Sequence, residues 1–267
     1  MRIRFSKYHG TGNDFILIDG RREKILLSTS RIENLCNRHL GIGADGLMIL
    51  TPASGFDFGM TYYNADGKES SMCGNGGRCI IAFARELGII MHTARFMAAD
   101  GEHTGVILDH QDTVWQVRIR LSDVPAIDHY SLGTFLNTGS PHLIVFRNHI
   151  KDMDVISEGR KLRYDQQFAP EGLNVDFVEV THSNLNVRTY ERGVENETLS
   201  CGTGVTAAAI ASVYSGMYPS IPTKENCIQV KTLGGSLLVR FSLSDQIARD
   251  VFLEGAATFV FQGEVSV

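Results

Sequence analysis

Two segments of the chain share one pattern of residue types: Glu69-Ser-Ser-Met-Cys73-Gly74-Asn75-Gly76 and Glu197-Thr-Leu-Ser-Cys201-Gly202-Thr203-Gly204. Each reads Glu-x-x-x-Cys-Gly-x-Gly, follows a strand-like run holding a tyrosine (Tyr63, Tyr190), and opens a short apolar stretch of helical character. A cysteine at the start of a helix sits where the positive end of the helix dipole favours a thiolate. A free thiol titrates at about pH 8.5. A helix N-terminus contributes about 0.3–1 kcal/mol, and roughly 2 when partly buried, so a thiolate is accessible there without a metal. Two thiolates close together repel, so such a pair holds one proton between them. One thiolate and one thiol are the base and the acid needed to take a proton from one face of a carbon and return one to the other.

The glycines extend the same chemistry. Gly74-Asn75 and Gly202-Thr203 place backbone N–H groups at two helix starts, where carboxylates bind. A carboxylate held there becomes an electron sink when the adjacent carbon loses its proton. A single Cys-Gly-x-Gly is equally well a tight turn into a buried helix; two copies with matched Glu and Tyr spacing favour the chemical reading. Cys73 and Cys79 lack zinc-ligand spacing and the chain has no Cys-x-x-Cys, so no metal is expected. Cys36, Cys79 and Cys227, the last placed just before a strand, read as small core residues.

Further polar residues fall near these motifs. Tyr8-His-Gly-Thr-Gly-Asn-Asp-Phe15 is a glycine-rich turn between two strands that presents Asn13 and Asp14, and it fits no phosphate-binding pattern. Asn64 follows one strand and Asn174 precedes another. Glu191 and Arg192, just past the strand ending at Tyr190, suit an amino acid: guanidinium on carboxylate, carboxylate on ammonium. The alternative for that pair is a solvated surface ion pair. His142, in Gly139-Ser140-Pro141-His142, is a candidate proton relay, or a structural histidine.

The elements that must position these residues are mostly strands. Trp115, Val117, Ile119 and Leu121 alternate with polar residues, as do Leu237, Val239, Phe241 and Leu243. Further strands are expected at 3–5, 15–18, 58–63, 175–180, 187–190, 228–231, 251–253 and 258–261. Ser30 with Glu33 forms a capping-box pattern ahead of Ile32, Leu35, Cys36 and His39 on one helical face, with Gly41 as the stop. Helices at about 76–87 and 205–215 are apolar nearly all round and so expected inside protein. The two thiol motifs lie about one domain length apart. The segment Leu121-Ser-Asp-Val-Pro-Ala-Ile127 is the expected crossover between related halves, each a helix wrapped by strands.

Composition sets the outer bounds. The chain has 267 residues, enough for one large or two ordinary domains. A net charge of −5 argues against nucleic-acid binding. No apolar run approaches a membrane span, and the charged, alternating start Met1-Arg-Ile-Arg-Phe-Ser-Lys-Tyr8 is not expected to be a signal peptide. Five cysteines, an odd number, fit a reducing cytoplasm.

These residues together resemble the diaminopimelate epimerases, nearly end to end. The likeness runs through Tyr8–Phe15, Cys36-Asn-Arg-His-Leu-Gly-Ile-Gly-Ala-Asp-Gly46 and Tyr63-Asn-Ala-Asp-Gly67. It continues through Met72-Cys-Gly-Asn-Gly76, Ser140-Pro-His142, Asn174, Tyr190-Glu-Arg-Gly193 and Ser200-Cys-Gly-Thr-Gly204, and it ends with Leu233-Gly-Gly235 and Glu254-Gly-Ala256. The resemblance implies a cofactor-independent epimerase of lysine and peptidoglycan-precursor synthesis, with Cys73 and Cys201 as the acid/base thiols. It implies that Gly74, Asn75, Gly202 and Thr203 bind the carboxylate at the reacting centre. Asn13, Asn64, Asn174, Glu191 and Arg192 then hold the rest of the substrate, above all its distal amino-acid end, with His142 and Ser140 in support. The implied fold is α+β: two pseudo-symmetric domains, each a curved β-sheet or barrel around a central helix, with the active site in the cleft between them. The halves expected are 1–121, joined by a returning segment at about 255–267, and 122–254, in a cytoplasmic homodimer.

Two positions depart from the family pattern. Ser140 stands where many members have Asn, and Gly46 where some carry a substrate-contacting Gln. Proline racemases and hydroxyproline epimerases share the two-thiol scheme, but their first motif reads Cys-Gly-His against Cys73-Gly-Asn75 here. Related phenazine-pathway isomerases lack the paired cysteines. A binding or thiol-redox protein is the alternative from another class.

Overall fold

The computed structural model describes residues 2–218 and 225–266. The chain forms two compact units: residues up to Ile119 together with those from Gly255 onward, and Arg120–Glu254.

The first unit runs β1 (Arg2–Gly10), β2 (Asn13–Asp19), α1 (Thr29–Cys36), β3 (Gly46–Thr51), β4 (Phe58–Asn64), β5 (Glu69–Ser70), α2 (Gly74–Glu86), β6 (Thr93–Ala98), β7 (Gly101–Gln111) and β8 (Val114–Arg120). β2 and β3 pair in parallel, as do β4 and β6, while β1–β2, β3–β4, β6–β7 and β7–β8 are antiparallel. The sheet wraps α2, which packs on β1, β2, β3 and β7 and is buried from Gly74 to Ala84. Strands with protein on both faces read as unbroken apolar runs. Phe15, Ile16, Leu17 and Ile18 are all buried, and Ile16 and Ile18 join Ile32 and Leu35 of α1 in a core cluster.

The second unit repeats this order with β9 (Ile127–Tyr130), β10 (Gly133–Asn137), β11 (Pro141–Phe146), α3 (Val155–Arg163), β12 (Asn174–Val180), β13 (Leu185–Glu191), β14 (Asn196–Thr198), α4 (Gly202–Tyr214), β15 (Asn226–Thr232), β16 (Gly235–Ser244) and β17 (Ile247–Ser266). β11–β12 and β13–β15 are the parallel pairs; β9–β10, β10–β11, β12–β13 and β15–β16 are antiparallel. α4 lies against β10–β13, β15 and β16, and α3 covers β12 and β13 as α1 covers β3. The last stretch of β17 pairs with both β1 and β8, closing the first unit's sheet into an eight-stranded barrel. The fold is therefore α+β, with a helix inside a curved sheet in each unit.

Several sequence expectations shift. Ser28, not Ser30, caps α1, its hydroxyl accepting from the Arg31 N–H. α1 stops at Cys36, so His39 lies beyond it and is exposed. Residues 251–253 and 258–261 belong to one long strand. Cys227 lies within β15, half-buried, rather than ahead of it. β3, β6, β7, β9–β11 and α3 were not foreseen from periodicity.

Candidate active site

Cys73 is the N-cap of α2, with an extended backbone at φ −110° and ψ 152°. Its sulfur accepts from the Gly76 N–H at 3.2 Å, the bond a serine cap would make. Space explains the second glycine of this motif: a Cβ at Gly76 would lie 2.5 Å from Met48 Cε and 3.1 Å from Cys73 Sγ.

Beside Cys73, a row of amides is oriented by charges at its two ends. Arg78, fully buried, donates from Nη2 to Asn75 Oδ1 at 2.9 Å. Asn75 Nδ2 donates to Asn13 Oδ1 at 3.3 Å, and Asn13 Nδ2 donates to Asp45 Oδ2 at 2.7 Å. The guanidinium at one end and the carboxylate at the other leave each amide a single orientation. Thr11, held at φ 50° in the β1–β2 turn, donates to Asn75 Oδ1 and accepts from Arg78. Such left-handed backbone in a non-glycine residue is stored strain of a kind that gathers at functional sites.

Among the described residues Arg78 has no carboxylate partner. Its remaining bonds reach the carbonyls of Gly74 and Ala256. Burial pulls the guanidinium down to about 10, while the thiols Cys79 and Cys73 act in the opposite sense. A cation without an acid in the first turns of α2 adds to the helix dipole at Cys73.

Cys201 caps α4 in the matching place, at φ −110° and ψ 114°. Its sulfur lies 3.3 Å from Thr203 Oγ1. Thr203 Oγ1 lies 2.9 Å from His142 Nε2, and His142 Nδ1 lies 2.6 Å from Asp176 Oδ2. The other Asp176 oxygen accepts from Thr189 Oγ1 at 2.6 Å. Asn174 places Nδ2 3.3 Å from His142 Nε2, with its Oδ1 fixed by the Arg192 N–H at 2.8 Å. Gly204 is required here: a Cβ would fall 2.3 Å from Asp176 Oδ1 and 3.2 Å from His142 Cε1. Burial pushes the Cys201 thiol well above its ordinary range; the Glu191 and Asp176 carboxylates add to this, and bonds from Thr203 and Gly204 offset part of it.

The residues expected from sequence thus fall into two groups. Asn13, Cys73, Gly74 and Asn75 share the α2 start, and Ser140, His142, Asn174, Glu191, Arg192, Cys201, Gly202 and Thr203 lie around the α4 start or on the strands beside it. Asn64 is exposed at the end of β4 opposite Gly46, where a Cβ would meet the Tyr62 ring at 2.5 Å. Ser140 offers its backbone carbonyl to the Thr138 N–H, and the Arg192 guanidinium leans on the carbonyls of Glu171 and Gly172. Asp176, Thr189, Arg78, Thr11 and Asp45 were missed. Period 2 places Asp176 on the same face of β12 as Asn174, which was the available signal. Among the described residues no group of three or more His, Cys, Asp or Glu is arranged to hold a metal ion, and no helix is long and apolar enough to cross a membrane.

Comparison with known proteins agrees with this architecture. A structure of a phenazine biosynthesis protein of the PhzF family from Bacillus anthracis superposes with a TM-score of 0.78 at 15% identity, covering 100% of both chains. A hydroxyproline epimerase from Agrobacterium vitis superposes at 0.72 with 15% identity, covering 100% of this chain and 93% of that one. At such identities the likeness is one of fold. In sequence, the chain is 45% identical to the diaminopimelate epimerase of Flavobacterium psychrophilum, covering 97% of this chain and 99% of that protein. It is 38% identical to that of Chlorobaculum tepidum with the same coverage. A family model described as diaminopimelate epimerase matches residues 5–118 and 134–260, and the chain belongs to that family.

Proposed function

We propose that the chain interconverts L,L-2,6-diaminopimelate and the meso form without pyridoxal phosphate, with Cys73 and Cys201 as the two proton carriers. The observation that carries this reading is the duplicated cap: each cysteine is the N-cap residue of a 13-residue, largely buried helix whose first residue is glycine. One sulfur as thiolate removes the α-proton and the other, as thiol, delivers a proton to the opposite face. N–H groups at the starts of α2 and α4, at Gly74-Asn75 and Gly202-Thr203, suit the carboxylate beside the reacting carbon, where charge develops. Asn13, Asn64, Asn174, Glu191 and Arg192 hold the distal amino-acid end, and His142 and Ser140 support them. The same reading makes the enzyme a cytoplasmic homodimer of lysine and peptidoglycan-precursor synthesis, on the strength of its family.

The test is turnover of L,L-diaminopimelate by the purified, reduced protein in heavy water. Deuterium is expected at the inverted carbon, and Cys73→Ala and Cys201→Ala are each expected to abolish conversion. No turnover of this substrate alongside turnover of proline would reject the assignment. Light scattering reports the oligomeric state.

A further inference from the structure

Glu195 closes the turn between β13 and β14, the turn that opens with Glu191 and Arg192. Its N–H donates to the Glu191 carbonyl at 2.8 Å, from a left-handed backbone at φ 56°. Val194 at the tip is 55% exposed, so apolar packing does not anchor the tip and polar bonds must. The Glu195 carboxylate takes four donors. Oε1 accepts from the Gly193 N–H at 3.0 Å and from Arg163 Nε at 3.3 Å. Oε2 accepts from the hydroxyls of Tyr164 at 3.0 Å and Tyr190 at 3.1 Å. Four donors match the lone pairs of one ionised carboxylate. Burial alone would raise this carboxyl, but the bonds from Gly193, Tyr164 and Tyr190 and the charge of Arg163 hold it below its ordinary value.

Two of the donors bracket the pair, since Tyr190 immediately precedes Glu191 and Gly193 immediately follows Arg192. The other two stand at the end of α3, Arg163 as its last residue and Tyr164 as its C-cap. That helix is seated on the same tyrosine: a Cβ at Gly159 would lie 2.4 Å from Tyr190 Cβ, and Tyr190 is fully buried. One carboxylate thus ties an exposed turn to the packed contact between α3 and β13. We propose that Glu195 is a positioning residue for Glu191 and Arg192, holding their turn in one shape so that the pair is preset for the amino-acid end of the substrate. This rests on the reading of that pair as substrate groups and adds the residue that presets them. A turn ordered in the free protein spares the complex the loss of conformational freedom on binding. Because Glu195 serves a contact remote from the reacting carbon, its loss weakens binding of substrate and transition state alike, which raises KM and leaves kcat.

Asparagine is among the non-glycine residues that left-handed backbone accepts most readily, so Glu195→Asn removes the long carboxylate and keeps the turn type. Glu195→Gln keeps the reach and one acceptor oxygen, and serves as the conservative variant. In steady-state assays with L,L-diaminopimelate, Glu195→Asn is expected to raise KM about tenfold with kcat within about threefold of the parent. Glu195→Gln is expected to fall between the two. A merely structural role would lower the active fraction, which reduces kcat and leaves KM in place. A KM rise no larger than the kcat loss therefore overturns the proposal. Amide hydrogen exchange on the substrate-free protein gives an independent reading. The Gly193 and Glu195 N–H groups should exchange about tenfold faster in Glu195→Asn, with the amides of β12 unmoved. Unchanged exchange at Gly193 overturns the proposal whatever the kinetics show. A parent protein that turns over no diaminopimelate would reject the functional reading, and exchange alone would then decide whether Glu195 orders the turn.

Discussion

Arg188 holds Glu197 by both carboxylate oxygens, Nε to Oε1 at 2.6 Å and Nη2 to Oε2 at 2.7 Å. The same guanidinium donates from Nη1 to the carbonyls of Ile150, Lys151 and Met153, so one residue ties β13, β14 and the segment before α3 together. The glutamate of the second repeat is therefore architectural. Its counterpart Glu69 is exposed on the two-residue strand β5. Glu197→Ala is expected to cost about 2–3 kcal/mol, because it strands a largely buried guanidinium, and Glu69→Ala within about 0.5 kcal/mol. Urea denaturation of both variants checks this; equal losses would contradict it.

Gly204→Ala tests the packing beneath Cys201. The added methyl meets Asp176 Oδ1, an atom already fixed by Thr189. Displacement of Asp176 carries His142 and Thr203 with it. Turnover is expected to fall by about 100-fold, the order expected when catalytic groups are misplaced by about 1 Å, and a steady-state assay on folded protein reads it. Activity within a few-fold of the parent would show that the contact yields easily.

Asp14 sets a limit on acid stability. Burial alone would raise its carboxyl, but hydrogen bonds and charge from Arg38 and Lys7 overcome this and hold it well below the usual carboxylate range. Its contribution is thus complete above about pH 4, the unfolded value, and is lost as pH falls through the lower folded value. Asp14→Asn is expected to cost about 3 kcal/mol near pH 7, since it leaves the buried Lys7 without its charge partner. Melting temperatures of parent and variant should converge only in strong acid, and convergence already at pH 5 would refute the assignment.

Arg78→Met removes the buried cation from α2. Asn75 Oδ1 and the Gly74 carbonyl lose their strongest donor, for an expected loss of about 3 kcal/mol. The Cys73 thiolate loses a nearby positive charge, so alkylation of Cys73 should need higher pH while that of Cys201 is unchanged. Mass-mapped alkylation reads both thiols in one sample. An unmoved Cys73 would confine Arg78 to a structural role.

What the sequence made legible follows from how each residue is buried. The two Cys-Gly-x-Gly motifs mark helix starts because an extended cap followed by small residues is a local feature. β8 was visible from its alternation, since one face is covered and the other is not. β3, with Gly46-Leu-Met-Ile-Leu-Thr51, was not, because α1 and α2 bury both of its faces and erase the period of two. β7 was hidden for the opposite reason: its outer half is largely polar and exposed. Asn13 and His142 stood out by type, but the carboxylates that orient them, Asp45 and Asp176, lie 32 and 34 residues away along the chain. Only register brings those together, as where His142 faces Asn174 across the parallel pair β11–β12.

The shared strand β17 also imposes an order of assembly. Residues 2–119 supply seven of the barrel's eight strands, all of β1 to β8 but the two-residue β5, and leave β1 and β8 without the partner that β17 gives them. Their partner, the stretch after Glu254, is synthesised only once residues 120–254 have been made. The inserted unit can therefore mature while the flanking one waits, its exposed edges a liability for mispairing. Closure of the barrel around α2 and Cys73 therefore cannot precede synthesis of the segment after Glu254.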